Sequence, residues 1–124
     1  MKVIFSHGKE SGPWGSKIKA LASVAKQFGC EVASIDYQGI ESPDERVQKL
    51  ADYLLKNENE NQYILVGSSM GGYVSLVCAQ QHENSSPLHN NNKGVFLLAP
   101  ALYMPNYTIQ TYSPNTLKNS NTEI

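Results

Sequence analysis

Short apolar runs alternate along the chain with longer segments whose apolar residues recur at helical spacing. Val3-Ile4-Phe5 is the first run, and Lys2 to Ser6 therefore reads as a short buried strand. The loop that follows, His7 to Gly15, holds Gly8, Gly12, Pro13 and Gly15 and excludes regular structure. From near Ser16, the residues Ile18, Leu21, Ala22, Ala25 and Phe28 fall on one helical face, and Gly29 is a natural stop. Glu31 to Asp36 reads as a second strand, with Val32 and Ile35 as its apolar residues. Ser42-Pro43-Asp44-Glu45 predicts a second helix: Ser42 caps it, Pro43 suits the first position and Glu45 completes a capping box. Val47, Leu50, Ala51 and Leu54 form its inward face. After a polar break at Asn57 to Asn61, Tyr63 to Val66 is a third strand that runs straight into Gly67. Met70 to about His82 is a third helix, with Val74, Val77 and Cys78 inward. Glu83 to Lys93 has a loop's composition, and Val95 to Leu98 is a fourth strand ended by Ala99-Pro100.

Strands alternating with helices imply right-handed βαβ units. The predicted fold is α/β, a parallel sheet of about four strands in the order 2-1-3-4. Apolar strand cores without alternation suit a sheet covered by helices on both faces. Residues 1–105 are the expected core; Thr, Asn, Ser and Pro dominate beyond it, and residues 106–124 are expected to be an irregular tail. Ligands of such sheets bind beyond the carboxyl ends of the strands, where the strand order reverses. Here that point lies between the first and third strands. The loops leaving those two strands are His7-Gly8-Lys9 and Gly67-Ser68-Ser69-Met70-Gly71.

The second loop has the G-x-S-x-G pattern of a nucleophile elbow, with Ser69 as the nucleophile. A serine at a sharp strand-to-helix turn is held in a strained backbone that lifts its hydroxyl clear of the sheet. Gly67 and Gly71 remove side chains that would collide across the turn. The helix starting at Met70 aims free N–H groups and its positive end at the same point, which suits a developing oxyanion. The expected oxyanion donors are the backbone N–H groups of Met70 and Lys9. An ordinary Gly-rich turn would also fit the bare pattern, but the elbow's position directly after a strand and at a helix start separates the two. A phosphate-binding loop is excluded: Gly67 and Gly72 have the Walker A spacing, yet Tyr73 and Val74 stand where Lys and Ser or Thr are needed.

The 124 residues suit one domain, and 40% hydrophobic with 17% charged residues fit a globular chain. A net charge of −1 leaves no electrostatic footprint for nucleic acid or an anionic membrane, and neither partner is expected. No apolar run approaches the roughly 20 residues of a membrane span, and the N-terminus turns polar too soon for a signal peptide. The cytoplasm is the expected compartment. The two cysteines, Cys30 and Cys78, lie inside apolar patterns as free thiols. Neither a metal nor a cofactor is implied, and oligomeric state is open.

Three stretches resemble small bacterial α/β-hydrolases: Phe5-Ser6-His7-Gly8, the elbow Gly67 to Gly72, and Leu97-Leu98-Ala99-Pro100-Ala101. The run from His7 to Lys17 is similar to a compact, lidless subgroup of esterases, and the likeness extends from Met1 to about Pro114. The resemblance implies hydrolysis of an ester or related acyl bond of a small molecule through a Ser-His-Asp triad, with Ser69 as nucleophile. It places His7 and Gly8 in the loop shaping the oxyanion hole, with His7 bracing the loop. In that family the acid and then the histidine follow the serine, on loops after two further strands. Here the polar tail stands in their place, so the chain is expected to be a hydrolase truncated after its fourth strand. His82 and His89 precede the fourth strand and read as solvated surface residues, and Asp36 could at most line the pocket. Loss of the histidine alone cost a serine protease about 10⁶-fold in turnover. The expectation is therefore a very weak hydrolase, an inactive one, or a non-catalytic binding domain on the same fold. A base from a partner subunit is a further alternative. The fourth strand is expected to present a bare, apolar sheet edge.

Overall fold

A computed structural model describes residues 1–57, 62–81, 91–98 and 122–123. Five strands and three helices occur in the order β1 (Lys2–Ser6), α1 (Ser16–Gln27), β2 (Glu31–Ile35), α2 (Pro43–Lys56), β3 (Tyr63–Ser68), α3 (Met70–Gln81), β4 (Asn92–Leu98) and β5 (Thr122–Glu123). They form one parallel sheet ordered β2-β1-β3-β4-β5. The predicted order of the first four strands and the reversal between β1 and β3 are both present. Ser6 pairs with Gly67, so the first and third strands end side by side.

β1, β2 and β3 feed both faces of the sheet, and β4 feeds one. Val3, Phe5, Val32 and Val66 pack with Ile18, Ala22 and Ala25 of α1 on one face. Ile4, Ile35, Leu65, Val95 and Leu97 pack under α2 and α3 on the other, with Val47, Leu50, Val74 and Val77. Each such side chain, fully buried, contributes about 1.5–3 kcal/mol. α2 begins as its cap predicts, with the Glu45 N–H donating to Ser42 Oγ at 3.3 Å. α3 is buried on every side from Met70 to Cys78, beyond the inward face predicted for it, because it lies between the sheet and α2.

Four expectations need correction. On α1 only Ile18 and Ala22 are buried; Leu21 is 38% and Phe28 82% exposed. The helix rests on β1 and β2 along a narrow stripe, and Phe28 sits at its C-cap, past the last helical residue. β3 continues through Gly67 and Ser68 to the serine itself. β4 starts at Asn92, inside the segment with a loop's composition. Asn92 pairs with Tyr63, and its side chain accepts from the Gly94 N–H at 3.1 Å beside a register shift, so local polar bonding masks the strand start. Finally, β4 is not a wholly bare edge. Thr122 and Glu123, in the tail expected to be irregular, pair with Val95 and Phe96. The predicted boundary at residue 105 lies outside the described residues.

Among the described glycines, the tightest surroundings are at the elbow. A Cβ on Gly71 would lie 1.9 Å from the Ser6 carbonyl oxygen, and one on Gly67 would lie 2.1 Å from that of Gly71. Neither neighbour is a side chain that could swing aside. Gly71→Ala should therefore cost about 3 kcal/mol or more, the upper end for overpacking, and lower the Tm by roughly 10 °C. Gly94→Ala, whose nearest contact would be a Phe96 ring atom at 3.4 Å, should stay within about 1 kcal/mol of the parent. Thermal melts of the two variants check this, and equal losses would refute it.

Candidate active site

Ser69 alone separates β3 from α3. Its φ is 55°, the only positive value for a non-glycine among the described residues. Its N–H donates to the Leu98 carbonyl at 3.0 Å, and its carbonyl accepts from the Gly72 N–H at 2.9 Å. The turn is thus tied to β4 on one side and to the first turn of α3 on the other. Ser69 is exposed, although Gly67 and Met70 beside it are buried. Gly8 comes so close that a Cβ there would lie 3.1 Å from Ser69 Cβ and 3.7 Å from its Oγ. The two loops predicted to converge do so, and they border an open cleft of about 330 Å³ lined by Gly8, Lys9, Glu10, Ser11, Ser68 and Ser69 among others.

His7 is fully buried behind this cleft. Its Nε2 accepts from the Tyr37 N–H at 2.8 Å, so that nitrogen carries no proton. The proton is then on Nδ1, which donates to the Gly8 carbonyl at 2.7 Å. Both nitrogens are committed, and the ring braces the loop. Burial pushes the His7 pKa below its ordinary 6.5; the bond to Gly8 opposes this, Arg46 adds to it, Asp36 opposes it and Lys49 adds to it. The ring also lies against Tyr37, centroids 5.4 Å apart. The Tyr37 hydroxyl meets Ser6 Oγ at 2.8 Å, and burial pushes that phenol up as well. Ser34 holds the far end of the loop through a 2.5 Å bond to the Pro13 carbonyl.

Asp36 does not line the cleft. Its Oδ1 accepts from the Gln38 N–H at 2.8 Å and lies 3.9 Å from His7 Nε2, while its side chain is 56% exposed. It shapes the turn after β2, and Lys49 Nζ donates to its carbonyl. His82, His89 and the Ala99-Pro100-Ala101 stretch lie outside the described residues. Cys30 and Cys78 are both free thiols, and burial pushes Cys78 up to about 12. Among the described residues no three His, Cys, Asp or Glu side chains converge as a metal site, and no helix is long and apolar enough to cross a membrane.

Sequence reasoning passed over Arg46. It is 2% exposed, Nε donates to the Ile40 carbonyl at 2.6 Å, and Nη1 reaches the carbonyls of His7 and Gly8 at 3.5 and 3.4 Å. Its guanidinium lies 5.5 Å from the Tyr37 ring centroid. A signal for it was present, since position 46 falls on the stripe formed by Val47, Leu50 and Leu54.

A family model, described as an uncharacterised protein family (UPF0227), matches residues 2–115. The chain belongs to UPF0227. Solved structures with a similar fold are α/β-hydrolases. This UPF0227 chain is 27% identical to a protein from Xanthomonas campestris assigned to the α/β-hydrolase superfamily, with a TM-score of 0.68. The likeness covers 84% of this chain and 61% of that one, so the chain spans about three fifths of its relative's length. An acetylxylan esterase is 13% identical with a TM-score of 0.71, over 99% of this chain and 79% of the esterase. A cutinase-like protein from Cryptococcus is 18% identical with a TM-score of 0.61, over 98% and 72%. At those identities the likeness is one of fold. No curated protein matches the chain.

The depressed His7 pKa carries a sign. Unfolded, His7 takes up a proton near 6.5; folded, it resists doing so until lower pH. Between those values the unfolded chain binds more protons, so stability rises with pH. This contribution is complete above about 6.5 and is lost as pH falls toward the folded value. Denaturant titrations from pH 7.5 to 5 should show the fall, and His7→Gln, which cannot titrate, should reduce it. An identical slope in the variant would refute the assignment.

Proposed function

We propose that this chain is a serine-hydrolase-type protein that acts on a small ester or acyl substrate through Ser69. The observation that carries the reading is the exposed serine at φ 55°, between a strand and a helix start and against the His7-Gly8-Lys9 loop. Ser69 Oγ gives its proton to solvent hydroxide and attacks the substrate carbonyl carbon, forming a C–O bond while the carbonyl π pair moves to oxygen. The backbone N–H groups of Lys9 and Met70 receive that oxyanion. Support for Met70 is its place at the start of α3, where N–H groups have no intrahelical partner. Collapse breaks the bond to the alcohol, which leaves as alkoxide and takes a proton from water to give hydroxide. Hydroxide then adds to the acyl carbon and the C–Oγ bond breaks, Ser69 Oγ taking the proton of the departing acid.

The serine proton needs an acceptor. His7 is the one histidine among the described residues, and it offers no free nitrogen. An alcohol without an adjacent base is a weak nucleophile. Esters therefore suit this site better than amides, since an alkoxide leaves without the general acid an amine requires. The cleft of about 330 Å³ stands near the lower end of ligand pockets and favours a small substrate. The hydrolase assignment of the 27% identical relative supports the reaction class. The absence of a histidine facing Ser69 among the described residues favours, as a second reading, a binding domain on the same fold.

A fluorophosphonate probe separates the two. Slow labelling, abolished by Ser69→Ala and quickening steadily as pH rises, is the expected result. Folded protein that takes no label would exclude Ser69 as a working nucleophile and leave the binding domain.

A further inference from the structure

We propose that Arg46 is the positioning residue of the oxyanion hole, fixing the direction of the Gly8 and Lys9 N–H groups from behind. The proposal rests on the reading of Ser69 and Lys9 given above. A buried guanidinium is costly unless its donors meet acceptors, and Arg46 meets backbone carbonyls. Nε takes the Ile40 carbonyl at 2.6 Å, which anchors the group to the loop before α2. Nη1 then faces two consecutive carbonyls, those of His7 and Gly8, at 3.5 and 3.4 Å. The face of Tyr37 lies against the same cation.

Two consecutive carbonyls on one cation have a geometric consequence. In an extended chain successive carbonyls point to opposite sides. Here both turn toward Arg46. Every described peptide bond is trans, so each N–H points opposite to the carbonyl of its own peptide. The N–H of Gly8 shares a peptide with the His7 carbonyl, and the N–H of Lys9 shares one with the Gly8 carbonyl. Both N–H groups therefore turn away from Arg46, on the side of the loop where Gly8 and Lys9 border the Ser69 cleft. Paired N–H groups of this kind make an anion-binding concavity.

The hold is doubled at Gly8. Its carbonyl accepts from His7 Nδ1 at 2.7 Å as well as facing Arg46, while the Tyr37 N–H fixes the other end of the imidazole. The contacts to Nη1 are long, so their contribution is mainly the field of the charge. That field favours carbonyl oxygens pointing inward and disfavours a flipped peptide. A flip at Gly8–Lys9 would turn the Lys9 N–H toward a cation and remove it from the cleft.

The test uses Arg46→Met and Arg46→Lys in the full chain, with two readouts. Amide NMR reports the loop directly. The Gly8 and Lys9 resonances should shift or broaden in Arg46→Met, less so in Arg46→Lys, while those of α3 beyond its first turn stay in place. Fluorophosphonate labelling of Ser69 builds a tetrahedral phosphorus whose oxygen needs the same donors. Its rate should fall roughly tenfold or more in Arg46→Met, with partial recovery in Arg46→Lys. Should Arg46→Met not fold, Arg46→Gln decides, because it keeps a hydrogen-bond donor and loses the charge. Unchanged Gly8 and Lys9 resonances, or labelling within twofold of the parent, in a folded variant that lacks the charge would overturn the proposal. If the parent itself takes no label, the nucleophile reading fails separately, and the amide resonances still decide whether Arg46 holds the loop.

Discussion

Ser69 keeps a non-glycine side chain at φ 55°, a conformation that costs on the order of 1–3 kcal/mol, and the surrounding backbone leaves it little alternative. Its N–H is bound to the end of β4 and its carbonyl to the first turn of α3. The helix starts one residue after the strand stops, so the chain must reverse within that residue. Such a reversal brings the backbone of Gly71 against Ser6 and that of Gly67 against Gly71. The absent Cβ atoms let β1, β3 and α3 meet at one point. The pairing of Ser6 with Gly67, the nearness of Gly8 to the serine and the shape of the cleft all follow from that meeting.

Behind the loop lies a buried polar group of four side chains, Ser6, His7, Tyr37 and Arg46. Buried polar atoms are costly when unmatched and rigid when matched. Here the hydroxyls of Ser6 and Tyr37 satisfy each other, the imidazole bridges two backbone groups, and the guanidinium spans two loops. The loop with three glycines and one proline, which its composition alone would leave soft, thereby gains fixed directions at His7 and Gly8. The same matching explains why His7 cannot also serve as a base. Protonation at Nε2 would set two N–H groups against each other, at a buried position near a cation.

Local signals with a short range were legible in the sequence. The Ser42-Pro43 cap starts α2 where expected, and the strand–turn–helix context around Ser69 identifies the elbow. The expected strand order agrees with the sheet, although the favoured hand of a βαβ unit fixes only the face that its helix covers. What depends on three-dimensional neighbours was less legible. Phe28 has helical spacing but lies past the stripe that touches the sheet. Asn92 and Lys93 look like loop until β3 provides a partner. Thr122 and Glu123 carry no apolar pattern, yet they pair with β4. Arg46 reads as a surface charge unless its place on the apolar stripe of α2 is taken seriously, and its partners are carbonyls, which no sequence pattern displays.

The site divides into two halves with different origins. In the proposed site, everything that would bind charge comes from backbone: helix N–H groups, a loop braced by buried side chains, and a strained turn. Those parts are built by β1 and its loop, β3, α3 and the end of β4, and no proton-transfer group faces Ser69 among the described residues. In a serine protease the equivalent remainder, with the triad removed, still gave 10³ to 10⁴ over water. Electrostatic preorganisation is thus separable from proton transfer, and a fold can hold the first at full geometry while the second is weak. For this chain the consequence is specific. Binding of a tetrahedral anion should depend on Gly8, Lys9 and the residues behind them, whereas the rate of bond formation at Ser69 should depend on whatever accepts its proton.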